Sequence, residues 1–357
     1  MEVIERSCVT GKQQGFFSYS GWPTACIDEK GIIYVVCSGM RLAHVCPFGK
    51  TLMYKSRDGG KTWSVPSVIN DHFLDDRDAG ILYLGKGRML VTRFSHPADV
   101  YEKDYAGWIA DDGGKPAEGL LAAYSEIKGE DRKGGSFLKI SEDYGETWSD
   151  EIRIPVSSPH GPSLLDDGSI LYLGKEMYSY GEEKADVLAA YISRDGGESF
   201  TKAGDCVKPD EYGWNQFHEP HCVQLNDGRI LGVIRAHIEE DDKHFTVYKT
   251  FSSDNGKTWS EFEPTGICGS PPFLLKLRDG RIIITYGRRV EPYGIYARII
   301  SPDGIFGNEE YLIEPANDSD IGYPASVENE DGSVVTVCYK RREGENYCSI
   351  VSTKWKP

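Results

Sequence analysis

The residues of this 357-residue chain best suited to chemistry are arginines, carboxylates and one tyrosine at matched positions. Glu219 stands sixteen residues before Arg235, and Tyr323 stands eight before Asp331-Gly332. Asp75-Asp76-Arg77-Asp78 is a dense run of charge, Tyr286-Gly287-Arg288-Arg289 offers two adjacent guanidiniums, and Arg41 and His44 lie close together. Several arginines around one point hold a carboxylate through bidentate, charge-assisted bonds that lysine does not reproduce. A glutamate at a buried strand start is costly unless a partner arginine or a catalytic task accounts for it. His218, Glu219 and His221 invite a zinc reading, but strand alternation sends residues 218 and 221 to opposite faces, so no metal is expected.

Repeats supply the elements that must position these groups. Ser56 to Trp63, Ser141 to Trp148, Ser193 to Phe200 and Ser252 to Trp259 share the pattern Ser-x-Asp-x-Gly-x-(Thr/Ser)-(Trp/Phe). The Asp carboxylate can accept from backbone N–H groups of a tight turn, the Gly takes a positive φ, and the aromatic ring pins the turn. This is a folding device, not a catalytic motif. A denser repeat is a hairpin turn between β-rich runs, with its glycine at 31, 87, 168, 228, 280 and 332. Six hairpins, each extended by a third strand, a box turn and a fourth strand, predict six four-stranded antiparallel sheets packed radially. The fold class is therefore an all-β six-bladed propeller, with residues 1–357 as one domain. A decayed box, Ser301-Pro302-Asp303-Gly304, stands where blade five requires one. Blade six lacks a box, and its outer strand is expected from Val3 to Val9, closing the ring. No helical periodicity competes.

The 81-residue step between the second and third turn glycines marks an insertion in blade two, roughly Ser95 to Gly135. Loops of that length serve as lids, as contacts in a homo-oligomer, or stay disordered. In a propeller, the first strand of each blade lines the central channel. Residues about 8 to 10 before each turn glycine then face a shared pocket: Gly21-Trp22-Pro23, Asp76-Arg77-Asp78, His160-Gly161-Pro162, His218 to His221, Ser270-Pro271-Pro272 and Gly322-Tyr323-Pro324. The exits of the second strands add Arg41, Arg93, Glu176, Arg235, Arg288 and Arg289.

The boxes, the six blades, Glu219 and Tyr323 together resemble the sialidase (neuraminidase) superfamily along essentially the whole chain. The likeness is sharpest in Glu219-Pro220-His221-Cys222-Val223-Gln224-Leu225-Asn226-Asp227-Gly228-Arg229-Ile230, followed by Arg235 at the family's spacing. The resemblance implies Tyr323 as nucleophile, Glu219 as its base, and Arg235 and Arg288 as clamps on a substrate carboxylate. A carboxylate nucleophile would meet like charge at the anomeric carbon of a sialic acid; a tyrosine made nucleophilic by a glutamate attacks as a nearly neutral group.

Two of the family's roles are vacant. Gly21-Trp22-Pro23 replaces the segment that carries the first arginine, and Met40 to Val45 holds no carboxylate where the acid/base aspartate belongs. Blade two is expected to compensate, with Arg77 in the clamp and Asp78 or His44 as the acid. Asp78 is the choice for acid/base, and Arg41 and His44 join Arg77, Arg235 and Arg288 as substrate-binding residues. The chain reads as an exo-acting hydrolase of a terminal acidic sugar on a small glycan, without cofactor. The alternatives are an exo-glycosidase or lyase for another acidic sugar, or a glycan-binding propeller without catalysis. A net charge of −16 argues against nucleic acid or an anionic membrane as partner. The absence of a basic-then-apolar leader, with nine scattered cysteines and no Cys-x-x-Cys pair, suggests a cytoplasmic protein.

Overall fold

A computed structural model describes residues 1–11, 15–177, 186–238 and 245–357. Six four-stranded antiparallel sheets form around a central channel. Blade one begins with Tyr19–Ile27, blade two with Arg77–Gly85, blade three with Ser163–Leu164, blade four with Phe217–Gln224, blade five with Pro272–Lys276 and blade six with Ile321–Glu328. The expected closure is present: Glu2–Cys8 pairs antiparallel with Cys348–Lys356 as the outer strand of blade six. No helix of the described residues is long and apolar enough to cross a membrane.

The box turns fold as their chemistry dictates. Asp58 Oδ1 accepts from the Thr62 N–H at 2.9 Å and from the Ser56 hydroxyl at 2.9 Å, while Gly60 takes φ +91°. Asp143, Asp195 and Asp254 repeat the backbone bond at 2.9, 3.0 and 2.9 Å. The first box also ties blades together, because the Trp63 indole N–H reaches Ser7 Oγ of the N-terminal strand at 3.0 Å.

The blade-two insertion departs from the sequence reading, which saw no helix. It holds α1 (Ala98–Lys103) and α2 (Ala106–Ala122), followed by two single 3₁₀ turns. Gly114, at φ +58°, breaks α2, and Pro116 follows it. Only Ile109 and Ala117 of α2 are buried, so no run of apolar residues was long enough to display a helical period. The insertion packs through Tyr101, Ile109, Ala117 and Tyr124 onto Val45 of blade one and Leu74 just before blade two. It thus roofs the junction of the two blades that the sequence marked as unusual.

Candidate active site

Four innermost strands carry the same irregularity. Their pairing slips between Gly21 and Thr24, Arg77 and Gly80, His218 and His221, and Gly322 and Ala325. Inside each slip sits one non-glycine residue in the left-handed region: Trp22 at φ +53°, Asp78 at +49°, Glu219 at +47° and Tyr323 at +52°. Each stands nine residues before its turn glycine, at 31, 87, 228 and 332. A bulge re-aims a side chain, and such backbone strain persists where surrounding structure holds it. Equivalent positions from four blades are thereby turned toward one centre.

At that centre the Tyr323 hydroxyl donates to Glu219 Oε1 at 2.5 Å. Arg235 Nη1 donates to Glu219 Oε2 at 2.7 Å and approaches the Tyr323 oxygen at 3.4 Å. Burial pushes the phenol well above its ordinary value of 10; the charges of Glu219 and Asp78 add to this, while Arg235 and Arg289 oppose it. Burial also works to raise Glu219, but the Arg235 guanidinium and the Tyr323 hydrogen bond outweigh it and hold the carboxyl below its usual range. The pair therefore rests as a protonated phenol against an ionised carboxylate. Such a pair has the chemistry to act as nucleophile and base.

Asp78 is buried, 7% exposed, with Oδ1 unpartnered among the described residues. Burial raises its carboxyl to about 7 against the opposing charge of Arg77, and Glu219 adds to the rise. Trp22 fills the place where an arginine was missing. Its ring lies 6.3 Å from Tyr323 edge-on, and the guanidiniums of Arg77 and Arg41 sit 4.3 and 4.6 Å from it. Cation–π contact of this kind orders both the ring and the cations.

The remaining expected residues divide. Arg41 is wholly buried: Nη1 donates to Asp75, Nη2 reaches Asp75 at 3.0 Å, and Nη2 also bonds the His44 carbonyl at 3.1 Å. It therefore braces the His44 loop from beneath instead of facing the pocket. Arg77 is 11% exposed and leans on the same Asp75 at 3.4 Å. The His44 side chain is 36% exposed, with its ring 5.1 Å from Trp22. Arg288 turns away from Tyr323, bonding Glu310 at 3.1 Å and lying over Tyr296. Its neighbour Arg289 takes the inward position instead. Arg289 Nη2 donates to Tyr339 Oη at 2.9 Å, Nε donates to the Ile321 carbonyl at 2.9 Å, and its guanidinium carbon lies 5.8 Å from the Tyr323 ring. The strand ends at Arg288, so its alternation does not govern the direction of Arg289.

Sequence reasoning also missed Tyr19, Asp320 and Tyr339. Tyr19 Oη lies 2.8 Å from His44 Nδ1 and donates to Asp320 Oδ1 at 3.1 Å. Asp320 stands three residues before Tyr323, immediately ahead of the same innermost strand, as Asp75 stands before Asp78, a register that could have flagged it. His160, its ring 6.3 Å from that of Tyr323, lines a cavity of about 460 Å³ with His221 and Phe273.

Comparison with known proteins follows this geometry. No curated protein matches the sequence. Among solved structures, a protein of unknown function from Dyadobacter fermentans is 19% identical, with a TM-score of 0.78 over 99% of this chain and 98% of its own. The intramolecular trans-sialidase of Ruminococcus gnavus, solved with oseltamivir carboxylate, is 15% identical, with a TM-score of 0.69 over 96% of this chain and 95% of its own. The GH93 α-L-arabinofuranosidase of Fusarium graminearum, solved with arabinobiose, is 14% identical, with a TM-score of 0.67 over 99% and 97%. At these identities the likeness is one of fold. A BNR/Asp-box repeat matches residues 54–65, around the first box turn. The model of the BNR repeat-like domain matches residues 115–336, more than half of the sequence, and the chain belongs to that family.

Proposed function

We propose that the protein is a glycoside hydrolase of sialidase type, releasing a terminal acidic sugar through Tyr323. The observation that carries this reading is the 2.5 Å contact of the Tyr323 hydroxyl with an ionised, arginine-bound Glu219. Attack by Tyr323 Oη on the anomeric carbon forms a glycosyl–tyrosine bond while the bond to the leaving oxygen breaks. The phenolic proton passes to Glu219 Oε1 as attack proceeds, so no free phenolate is required. Arg235 and Arg289 flank the nucleophile from blades four and five, and Arg77 completes an anion clamp from blade two. Asp78, raised to about 7 and so protonated below neutral pH, is suited to donate a hydrogen bond to a polar substituent of the bound ring.

The test is hydrolysis of a fluorogenic aryl sialoside by the wild type and by Tyr323→Phe. Release by the wild type that drops on the order of 10³-fold or more in the variant is expected when a nucleophile is removed. Release by neither protein sinks the sialidase reading. A second reading has its own support. Trp22 replaces an arginine, and Asp75 neutralises much of Arg41 and Arg77, which weakens the clamp and admits a less acidic sugar. An aryl α-L-arabinofuranoside belongs in the same assay, because the relative solved with arabinobiose shares the fold.

A further inference from the structure

The hydrolase reading leaves one role unfilled, that of the group which protonates the leaving oxygen. Asp78 has the chemistry but is buried beside Arg77 and Glu219. In an exo-acting enzyme the leaving group carries the rest of the glycan toward solvent, so its proton donor has to be reachable from solvent. His44 is. Its side chain is 36% exposed, whereas Asp78 and Tyr323 are buried. It projects from the loop after the second strand of blade one and meets the Trp22 ring edge-on at 5.1 Å. Trp22 and Tyr339 lie between it and Tyr323, each within 6.5 Å of both rings.

What distinguishes His44 from a chance surface histidine is how it is held. Its Nδ1 faces Asp320 Oδ1 at 3.3 Å and Tyr19 Oη at 2.8 Å. Asp320 also accepts from Tyr19 at 3.1 Å and from the Cys348 thiol at 3.2 Å, and it lies 3.8 Å from Arg341. With the Tyr19 proton given to Asp320, Nδ1 faces only acceptors, so it carries a proton and Nε2 becomes the nitrogen that titrates. Among the described residues nothing bonds Nε2. Beneath, Arg41 fixes the His44 carbonyl at 3.1 Å. A histidine tautomer set by a half-buried carboxylate, with the other nitrogen unbonded, is the arrangement of a proton shuttle.

We infer that His44, oriented by Asp320, delivers the proton to the leaving oxygen, an inference that rests on the hydrolase reading above. In the first half-reaction the His44 imidazolium gives its Nε2 proton to the departing glycosidic oxygen, while the Tyr323 proton moves to Glu219. In the second, neutral His44 takes a proton from a water whose oxygen attacks the anomeric carbon. The glycosyl–tyrosine bond breaks, and Glu219 returns its proton to Tyr323 Oη. His44 is a catalytic residue in this scheme and Asp320 a positioning residue.

The groups facing His44 set the pH at which it works. Tyr19 and Trp22 approach from blade one, Asp320 and Tyr339 from blade six, Arg77 from blade two and Arg289 from blade five. Burial lowers its proton affinity below the ordinary histidine value, Asp320 opposes this, and Arg77 and Arg289 add to the lowering. Protonation of the leaving group is therefore expected at mildly acidic pH.

The experiment compares two sialosides that differ in their need for that proton: an activated aryl sialoside and sialyllactose. In His44→Gln, kcat/KM on sialyllactose is expected to fall by about 10²–10⁴-fold, while the aryl substrate changes by less than about tenfold. In Asp320→Asn, the alkaline limb of kcat on sialyllactose is expected to move to lower pH, because the charge that favours the imidazolium is gone. Equal losses on both substrates, or none on either, overturn the assignment of His44 while leaving Tyr323 untouched. Full activity of Tyr323→Phe, or a wild type inert toward both sialosides, overturns the hydrolase reading and this inference with it.

Discussion

Asp78, Glu219 and Tyr323 occupy one backbone position in three blades, yet their surroundings set three different proton affinities. Glu219 has Arg235 against it and stays ionised; Asp78 has no such bond on Oδ1 and is raised to about 7. Because the folded protein holds this proton more tightly than the unfolded chain, Asp78 contributes stability that is complete below about pH 4. That contribution is lost as pH rises through about 7. Asp78→Asn removes the buried charge and keeps the shape, so its stability relative to the parent is expected to rise with pH. A gain on the order of 1–3 kcal/mol at pH 8 and little difference at pH 4 is the expected result. Thermal unfolding at the two pH values checks this; an advantage that does not grow with pH would show that Asp78 is ionised and solvated. At this scale the sequence was partly legible. Glu219, Arg235 and Tyr323 stood out by spacing because the turn glycines supplied a ruler. Arg289 did not, because it lies just beyond its strand, and Asp320, at the register Asp75 holds before Asp78, stands outside the span read as facing the centre.

The insertion shows what the same sequence withheld at the scale of elements. Its place between Ser95 and Gly135 was visible in the long step between turn glycines, but its helices were not. A helix broken at Gly114 that buries only Ile109 and Ala117 leaves no periodic trace. Its function lies in where its tyrosines end. Tyr101 Oη donates to Asp75 Oδ2 at 2.8 Å, and Asp75 in turn holds Arg41 and Arg77. The Asp75 N–H donates to Tyr124 Oη at 3.2 Å, and that hydroxyl donates to the Pro47 carbonyl at 2.7 Å. The insertion therefore braces the two arginines that flank Trp22. Tyr101→Phe keeps the apolar packing and deletes one bond to a buried carboxylate, which is expected to cost about 1–3 kcal/mol. Denaturant unfolding measures it. A variant as stable as the parent would mean that contacts with Val45 and Leu74 alone hold the insertion down.

At the scale of the whole molecule, the site exists only while the ring is closed. Trp22, Asp78, Glu219 and Tyr323 come from blades one, two, four and six, so any opening of the ring separates these side chains. The blade count and the closing strand were legible because hairpin turns and boxes recur with little variation. The bulges that aim the four side chains were not, since a left-handed residue leaves no mark when it is not glycine. Closure rests on Glu2–Cys8, which pairs with Cys348–Lys356. Arg6 Nε reaches Glu314 at 2.6 Å, and Ser7 Oγ donates to the Gly60 carbonyl at 2.9 Å, binding blade six to the first box of blade one. Deleting residues 2–8 exposes the edge of Cys348–Lys356, a long unpaired strand of the kind that recruits other chains. The shortened protein is expected to unfold at lower denaturant concentration with a smaller m-value and to form soluble aggregates on size exclusion. Ser7→Ala, which keeps the strand, is expected to stay monodisperse and lose at most about 1 kcal/mol. A deletion variant with the parent's midpoint and elution would place the strength of closure in the innermost strands, where Tyr323 already packs against Trp22.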